Sequence, residues 1–334
     1  MKRLGPTSVP LIGLVALLLM NAALSPGFLA VTVRDGHLSG SIVDVFLRAV
    51  PVLLLSIGMT LVIATGGVDL SVGAVMAIAG AVAAGILVHP AGTPFANISG
   101  TPTMLAVLGI PIAVAATAGA FNGLLVAAGI QPIVATLALM VAGRGVAQLL
   151  TNGQIVTFTD ERMSALGNGF WLGLPIPIWI AAACALAVFV LVRKSALGLF
   201  ISATGASERA SYLVGIPNKG IKVFAYLVCG LLAGVAGLIA CSDIKGADSH
   251  NAGLYLELDA ILATCLGGTS MTGGRFNLAG TIVGAILMQT LTTIILTRGV
   301  SLEATLITKA VLVIGVCLFQ SPVFRAKLTR EKSA

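Results

Sequence analysis

Few side chains inside the apolar runs can carry charge or make strong hydrogen bonds: Asp69, Asn122, Gln131, Arg144, Gln148, Glu257, Asp259 and Lys309. In a bilayer such a group needs water, a counter-charge or a polar partner, so each marks either a working site or a structural tie. Asp69 has the most informative surroundings. It lies in Gly66-Gly67-Val68-Asp69-Leu70-Ser71-Val72-Gly73, between apolar runs at 49–65 and 72–88. Backbone that leaves a helix at membrane depth must find new partners. Two readings follow: a working site, or a tight turn between two spanning helices. Arg144 and Gln148 are four apart and share a helix face. Transport chemistry, a structural ion pair and a helix-to-backbone clamp are all open for Arg144. Asp69, Arg144 and Glu257 could serve ion coupling in a secondary transporter. Glu257 and Asp259 read as the mouth of a segment, and Lys309 as an end residue that snorkels.

Other chemistry has no matching motif. No phosphate-binding Gly-x-x-x-x-Gly-Lys-Ser/Thr occurs, and Gly215-Ile216-Pro217-Asn218-Lys219-Gly220 has the wrong order. The chain is therefore not expected to hydrolyse ATP itself. No Gly-x-Ser-x-Gly elbow or His-Glu-x-x-His is present, so no enzyme activity is expected. His37, His89 and His250 are far apart and suggest no metal site. Cys184, Cys229, Cys241, Cys265 and Cys317 lie mostly in apolar runs without metal or disulfide spacing, and read as small packing residues.

The elements that must position these groups are helices in lipid. The 334 residues are 57% hydrophobic and 9% charged, with mean hydropathy +1.07. Soluble domains carry about 25% charged residues. Long unbroken apolar runs exclude a β-barrel. The fold expected is all-α: a polytopic helical membrane protein with about ten transmembrane segments and glycine-interrupted helices, forming one domain over 1–334. The segments are 9–30, 49–65, 72–88, 103–129, 132–151, 174–192, 221–241, 256–268, 278–296 and 305–321. The first is too long for a signal-peptide core and reads as an uncleaved span; 256–268 reads as a half-helix or re-entrant piece.

Charge placement gives an orientation. With the N-terminus inside, Lys2, Arg3, Arg193, Lys194, Arg209, Lys219, Lys222, Arg275, Arg325, Lys327, Arg330 and Lys332 fall inside. Arg34, Arg48, Arg162, Lys245 and Arg298 fall outside. That bias follows the positive-inside rule and puts both termini in the cytoplasm. Asp35, Asp44, Asp160, Glu161, Asp243, Asp248 and Glu303 fall outside. The net charge of +7 is spread over segment ends, which argues against a nucleic-acid partner. Gly119/Gly123, Gly230/Gly234 and Gly280/Gly284 are small-x-x-x-small pairs for close helix contact. Trp171, Trp179 and Tyr255 are candidates for a thin interfacial belt.

The stretch 195–220 is too polar to span and too apolar for a free linker. A short helix is expected after Gly205, capped by Ser207 with Glu208 in its first turn. It could dock on a partner or lie on the membrane surface.

Three pieces then carry a resemblance. Gly66 to Gly73 looks like the signature of permease subunits from ribose-, arabinose- and xylose-type ABC importers. The loop 196–216 resembles that family's ATPase-coupling loop. Leu266-Gly267-Gly268-Thr269-Ser270-Met271-Thr272-Gly273-Gly274 resembles its second glycine-rich motif, although Arg275-Phe276-Asn277 is bulkier than the small residues often found next. Met59 to Thr65, Gln131 to Leu137 and the pieces Gly246-Ala247-Asp248 and Asn251-Ala252-Gly253 resemble the galactofuranose branch.

The resemblance implies a monosaccharide permease subunit in a bacterial inner membrane. Its partners would be a cytoplasmic ABC ATPase that binds ATP and Mg, a second and different permease, and a periplasmic sugar-binding protein. No cofactor is implied in this chain. Gly198, Ala203, Gly205, Glu208, Arg209, Ala210 and Gly215 would form the coupling loop. Gly66, Gly67, Asp69, Ser71, Gly73, Asn122, Arg144, Gly267, Gly268, Gly273 and Gly274 would form the translocation path or helix breaks. With the topology, Gly66 to Gly73 falls at the cytoplasmic ends of two segments. It then reads as a hinge whose Asp69 and Ser71 cap the next helix.

Overall fold

The computed structural model describes residues 7–24, 27–34, 36–97, 101–299, 301, 304–311 and 314. Residues 25–26 of the first expected segment and most of 305–321 fall outside them, as do Lys2, Arg3, Asp35, Glu303, Cys317, Arg325, Lys327, Arg330 and Lys332.

The chain is mostly helical. It runs α1 (Ser8–Leu24), β1 (Thr32–Arg34), β2 (His37–Ser39), α2 (Ser41–Ala64), α3 (Val72–Val88), α4 (Met104–Ala127) and α5 (Pro132–Leu150). It continues through β3 (Val156–Thr157), α6 (Glu161–Asn168), β4 (Phe170–Trp171), β5 (Leu174–Pro175), α7 (Ile176–Lys194), α8 (Leu197–Ala206) and α9 (Glu208–Leu213). It closes with α10 (Asn218–Asp243), β6 (Gly246–Ala247), α11 (Leu256–Leu266) and α12 (Leu278–Thr297), and 304–311 is helical again. Three short antiparallel pairs, β1–β2, β3–β6 and β4–β5, add strand that an all-α reading omits. All lie in loops, where exposed backbone needs partners.

Helices α2, α4, α5, α7, α10 and α12 are long and apolar enough to cross a membrane. The most apolar window of α2 is 72% buried and that of α10 is 67%, against 22% for α4, α5 and α7. So α2 and α10 form the centre, while the other three turn a broad apolar face outward, as lipid requires. Helix α3 has 17 residues, about 25 Å at 1.5 Å per residue, shorter than the ~30 Å hydrocarbon core. It is nevertheless buried along nearly its whole length, packed on α10, α5 and α4. Helix α11, with 11 residues, is about 16 Å long and far too short to span, in keeping with the half-helix reading.

Small residues set the helix spacing. The Gly119/Gly123 pair on α4 meets Gly230 and its neighbours on α10, and a Cβ at Gly119 would lie 2.9 Å from the Gly230 Cα. The Gly280/Gly284 pair on α12 lies against the end of α11 in the same way, where a Cβ at Gly284 would lie 3.3 Å from the Ala263 Cα. Hydrogen bonds add to this contact: Thr60 on α2 pairs with Thr281 on α12 at 2.9 Å, and the Thr264 hydroxyl of α11 donates to the Ser56 carbonyl at 3.2 Å.

Two expected boundaries shift. Helix α2 starts at Ser41, not residue 49, so Asp44 and Arg48 are helical residues and not loop residues. The polar pair masked the continuation of the helix. Helix also precedes Gly205: α8 ends just after it, so the glycine closes one helix before α9 begins.

Candidate functional site

The Gly66 to Gly73 break is a closed, hydrogen-bonded junction. Gly66, at φ +84, turns the chain out of α2 in the left-handed region that favours glycine. The freed Val68 carbonyl accepts from the Tyr226 hydroxyl of α10 at 3.2 Å and faces the Thr136 hydroxyl of α5 at 3.5 Å. Asp69 is 1% exposed. Its Oδ1 accepts from the Ser71 amide at 3.0 Å, the Ser71 hydroxyl at 2.6 Å and the Asn122 amide of α4 at 3.4 Å. Asn122 also donates to the Ser71 hydroxyl at 2.9 Å. Among the described residues no cation pairs with Asp69.

The expected capping is corrected in part. Ser71 occupies the N-cap position of α3, but no side chain caps that end. Its hydroxyl donates to Asp69 and accepts from Asn122, and none of the first amides of α3 reaches it. Asp69 receives the Ser71 amide instead, just ahead of the helix N-terminus. Gly67 lies against the Tyr226 ring, and Gly73 against Gly253 and Glu257.

The second glycine motif docks on the first. Gly267 and Gly268 end α11, and the chain folds back so that Ser270 donates to the Arg275 carbonyl. Gly273 and Gly274 have φ +83 and +80, and the Gly274 amide donates to the Ala64 carbonyl at the end of α2 at 3.0 Å. The bulkier Asn277 caps α12 through Gly280 at 3.2 Å and donates to the Gly267 carbonyl at 3.0 Å. A small residue could not make that tie.

Helix α8 completes the cluster. A Cβ at Gly205 would lie 2.5 Å from the Gly274 nitrogen and would overlap the Ala64 carbonyl. Three stretches far apart in sequence thus touch at one end of the bundle. Gly198 and Ala203 lie on α8, and Glu208, Arg209 and Ala210 on α9, with Gly215 in the turn after it. Ser207 caps α9, accepting from Ala210 at 3.3 Å. Asn218, at the start of α10, accepts from Thr204 at 3.1 Å and donates to the Glu208 carbonyl at 2.6 Å; Lys222 pairs with Glu208 at 2.7 Å. On the outer side Tyr212, Leu213 and Val214 are 75%, 78% and 75% exposed.

Arg144 does not join this cluster. It donates to the Ala252 carbonyl at 2.6 Å and faces those of Ser249 and His250 at 3.4 and 3.5 Å, while Gln148 meets His250 at 3.2 Å. The helix-to-backbone clamp is the geometry present. Asp248 organises the same turn. Burial pushes its carboxyl up, but hydrogen bonds from the Asn251 side chain and from the Asn251 and His250 amides outweigh it and hold it below the ordinary value. Glu257 is buried, and its Oε2 has no hydrogen-bond partner. Lys309 does not snorkel: it pairs with the buried Asp259 at 2.6 Å. The buried carboxylate is a nearer partner than water.

At the opposite end of α2 lies a cavity of about 480 Å³, reached by Asp44 and Arg48 of α2, Asp243 of α10, Asp248 and Asn251 of the clamped turn, and Gln289 of α12. Leu47 and Pro51 also line it. Proline has no N–H, so the Leu47 carbonyl loses its helical donor beside the cavity. The sequence reading missed this set. The signal was Asp44 and Arg48, four apart ahead of Pro51, on a continuation of α2. Among the described residues no cluster of His, Cys, Asp and Glu is arranged to hold a metal.

A bundle of apolar helices interrupted by paired glycine breaks, with a mixed polar and apolar cavity at one end, is the build of an integral membrane protein. The chain belongs to the family described as branched-chain amino acid transport system / permease component, which matches residues 41–317; it is a permease subunit and not an enzyme. It is 49% identical to the galactofuranose transporter permease of Escherichia coli (strain K12), over 96% of this chain and 91% of that one. It is 38% identical to the fructose import permease of Bifidobacterium longum (strain NCC 2705), over 93% and 86%. It is 36% identical to the ribose import permease of Escherichia coli (strain K12), over 91% and 90%. No solved structure matches the chain.

Proposed function

We propose that this chain is the membrane-spanning subunit of an ATP-driven importer of a neutral monosaccharide, with galactofuranose the first candidate. The contact of Gly205 with Ala64 and Gly274 carries the reading, because it joins the loop expected to meet an ATPase directly to both helix breaks. In this reading the α8–α9 end faces the cytoplasm. Its exposed Tyr212, Leu213 and Val214 receive an ABC ATPase that binds ATP and Mg. ATPase closure pushes α8 against the two breaks, and the bundle alternates its access. The relatives named above suggest sugars as substrates, and a sugar-binding protein on the outer face and a second, different permease complete the assembly. The chain lies in the inner membrane as one domain with about ten segments and both termini inside.

Ion coupling receives less support. Asp69 is bound by Ser71 and Asn122, and Arg144 by backbone carbonyls, so of the three coupling candidates only Glu257, with its open Oε2, is left free to exchange an ion. Membrane vesicles carrying the chain with an ATPase, a binding protein and a second permease encoded beside it test the proposal. Uptake of labelled sugar should require ATP and survive collapse of the ion gradients. Uptake driven by a gradient alone would sink it.

A further inference from the structure

A second space adjoins the cavity at the end remote from α8. It is a cleft of about 500 Å³ between α1, α2 and α12, and it shares Asp44, Arg48 and Gln289 with the cavity. Its floor contains Asn21 of α1, which is 2% exposed. The Asn21 Oδ1 has no hydrogen-bond partner. A buried amide oxygen is normally satisfied, so one left open in a polar cleft marks room for a donor from outside the chain.

The other groups narrow the ligand. Asp44 and Arg48 lie one turn apart on α2, and neither forms an ion pair among the described residues. A carboxylate and a guanidinium are both planar and can each bind two neighbouring hydroxyls. Gln289 and Thr293 add an amide and a hydroxyl already joined to each other, Gln289 Nε2 donating to Thr293 Oγ1 at 3.3 Å. Phe28 contributes an apolar ring surface for C–H groups. Asp243 and Asp248 in the adjoining cavity leave carboxylates in excess over Arg48, which disfavours an anion.

We propose that this cleft is a binding station for a neutral monosaccharide inside a single permease chain, entered through the shared cavity, with Asn21 as its buried acceptor. The inference rests on the importer reading above and adds where the sugar pauses and which sugars are turned away. Sugar acids and sugar phosphates meet Asp44, Asp243 and Asp248 and are excluded.

The test uses the purified full-length chain carrying Leu296→Cys, a lining position outside the polar set, and a polar thiol reagent, with labelling at position 296 followed by peptide mass. D-Galactose, D-ribose or D-fructose at saturation should slow labelling, and galacturonate should not. No protection by any of the three neutral sugars overturns the station, and equal protection by galacturonate overturns its charge selectivity. Adding Asn21→Leu, a near-isosteric change that removes the open acceptor, should keep the unfolding midpoint. It should also raise the protecting sugar concentration about tenfold, as loss of one hydrogen bond does. An unchanged concentration overturns the role of Asn21. Uptake by the unaltered chain is measured in parallel. Uptake without protection removes the station and leaves the importer, whereas protection without uptake does the reverse.

Discussion

Asp69 holds its surroundings through one oxygen, and this makes its substitutions unequal. Asp69→Asn retains an acceptor for Ser71 and Asn122, whereas Asp69→Ala strands a buried amide N–H and an Asn122 donor. Leaving a buried group unsatisfied costs about 1–3 kcal/mol. Thermal unfolding of the purified protein should therefore fall clearly for Asp69→Ala and little for Asp69→Asn. Equal loss in both would mean that the charge, and not the acceptor, matters. Asp248 gives a pH prediction at the same scale. Its carboxyl is held below the ordinary value in the folded state, so it stabilises the turn 248–251 fully above the unfolded value of about 4. That stabilisation is lost as pH falls through the lower folded value. Amide protection at His250 and Asn251, taken relative to the intrinsic exchange rate at each pH, should be high at neutral pH and fall on acidification, and Asp248→Asn should weaken this dependence.

The elements communicate through contacts that leave no room for side chains. Any bulky residue at Gly205 must displace α8 from the ends of α2 and from Gly274. Gly205→Leu should insert and fold, yet separate ATP hydrolysis from sugar uptake in the assembled complex. Normal uptake with normal ATPase stimulation would refute the coupling role. The α4–α10 crossing behaves differently, because Gly119 meets α10 backbone and not α8. Gly119→Val should force the helices apart and destabilise the protein by about 1–3 kcal/mol, as overpacking does. Unfolding in detergent measures it, and an unchanged midpoint would show that the two glycine motifs do not bear on each other.

For the whole molecule, the exposed α9 patch is the proposed docking face for an ATPase. Leu213→Asp places a charge where an apolar partner surface is expected. It should leave the fold intact and abolish copurification with the proposed partner ATPase. Retained binding would move the docking surface elsewhere.

Much of this organisation was legible in the order of residues. Long apolar runs mark helices, because a polar backbone in lipid must pair within its own segment. The paired glycines of 66–73 and 267–274 mark the breaks, because φ near +80 excludes most side chains. Ser207 and Glu208 mark the start of α9 by capping chemistry. The tertiary structure alone decided which of these pieces meet. It brought Gly205 to Ala64 and Gly274, turned Lys309 toward Asp259, and gathered Asp44, Arg48, Asn21 and Gln289 around connected cavities. The physical reason is the solvent. In water a helix shows its buried face by contrast with a polar one. In lipid both faces are apolar, so the inward side of α4, α5 or α12 leaves no periodic signal, and close packing of small residues decides the partners.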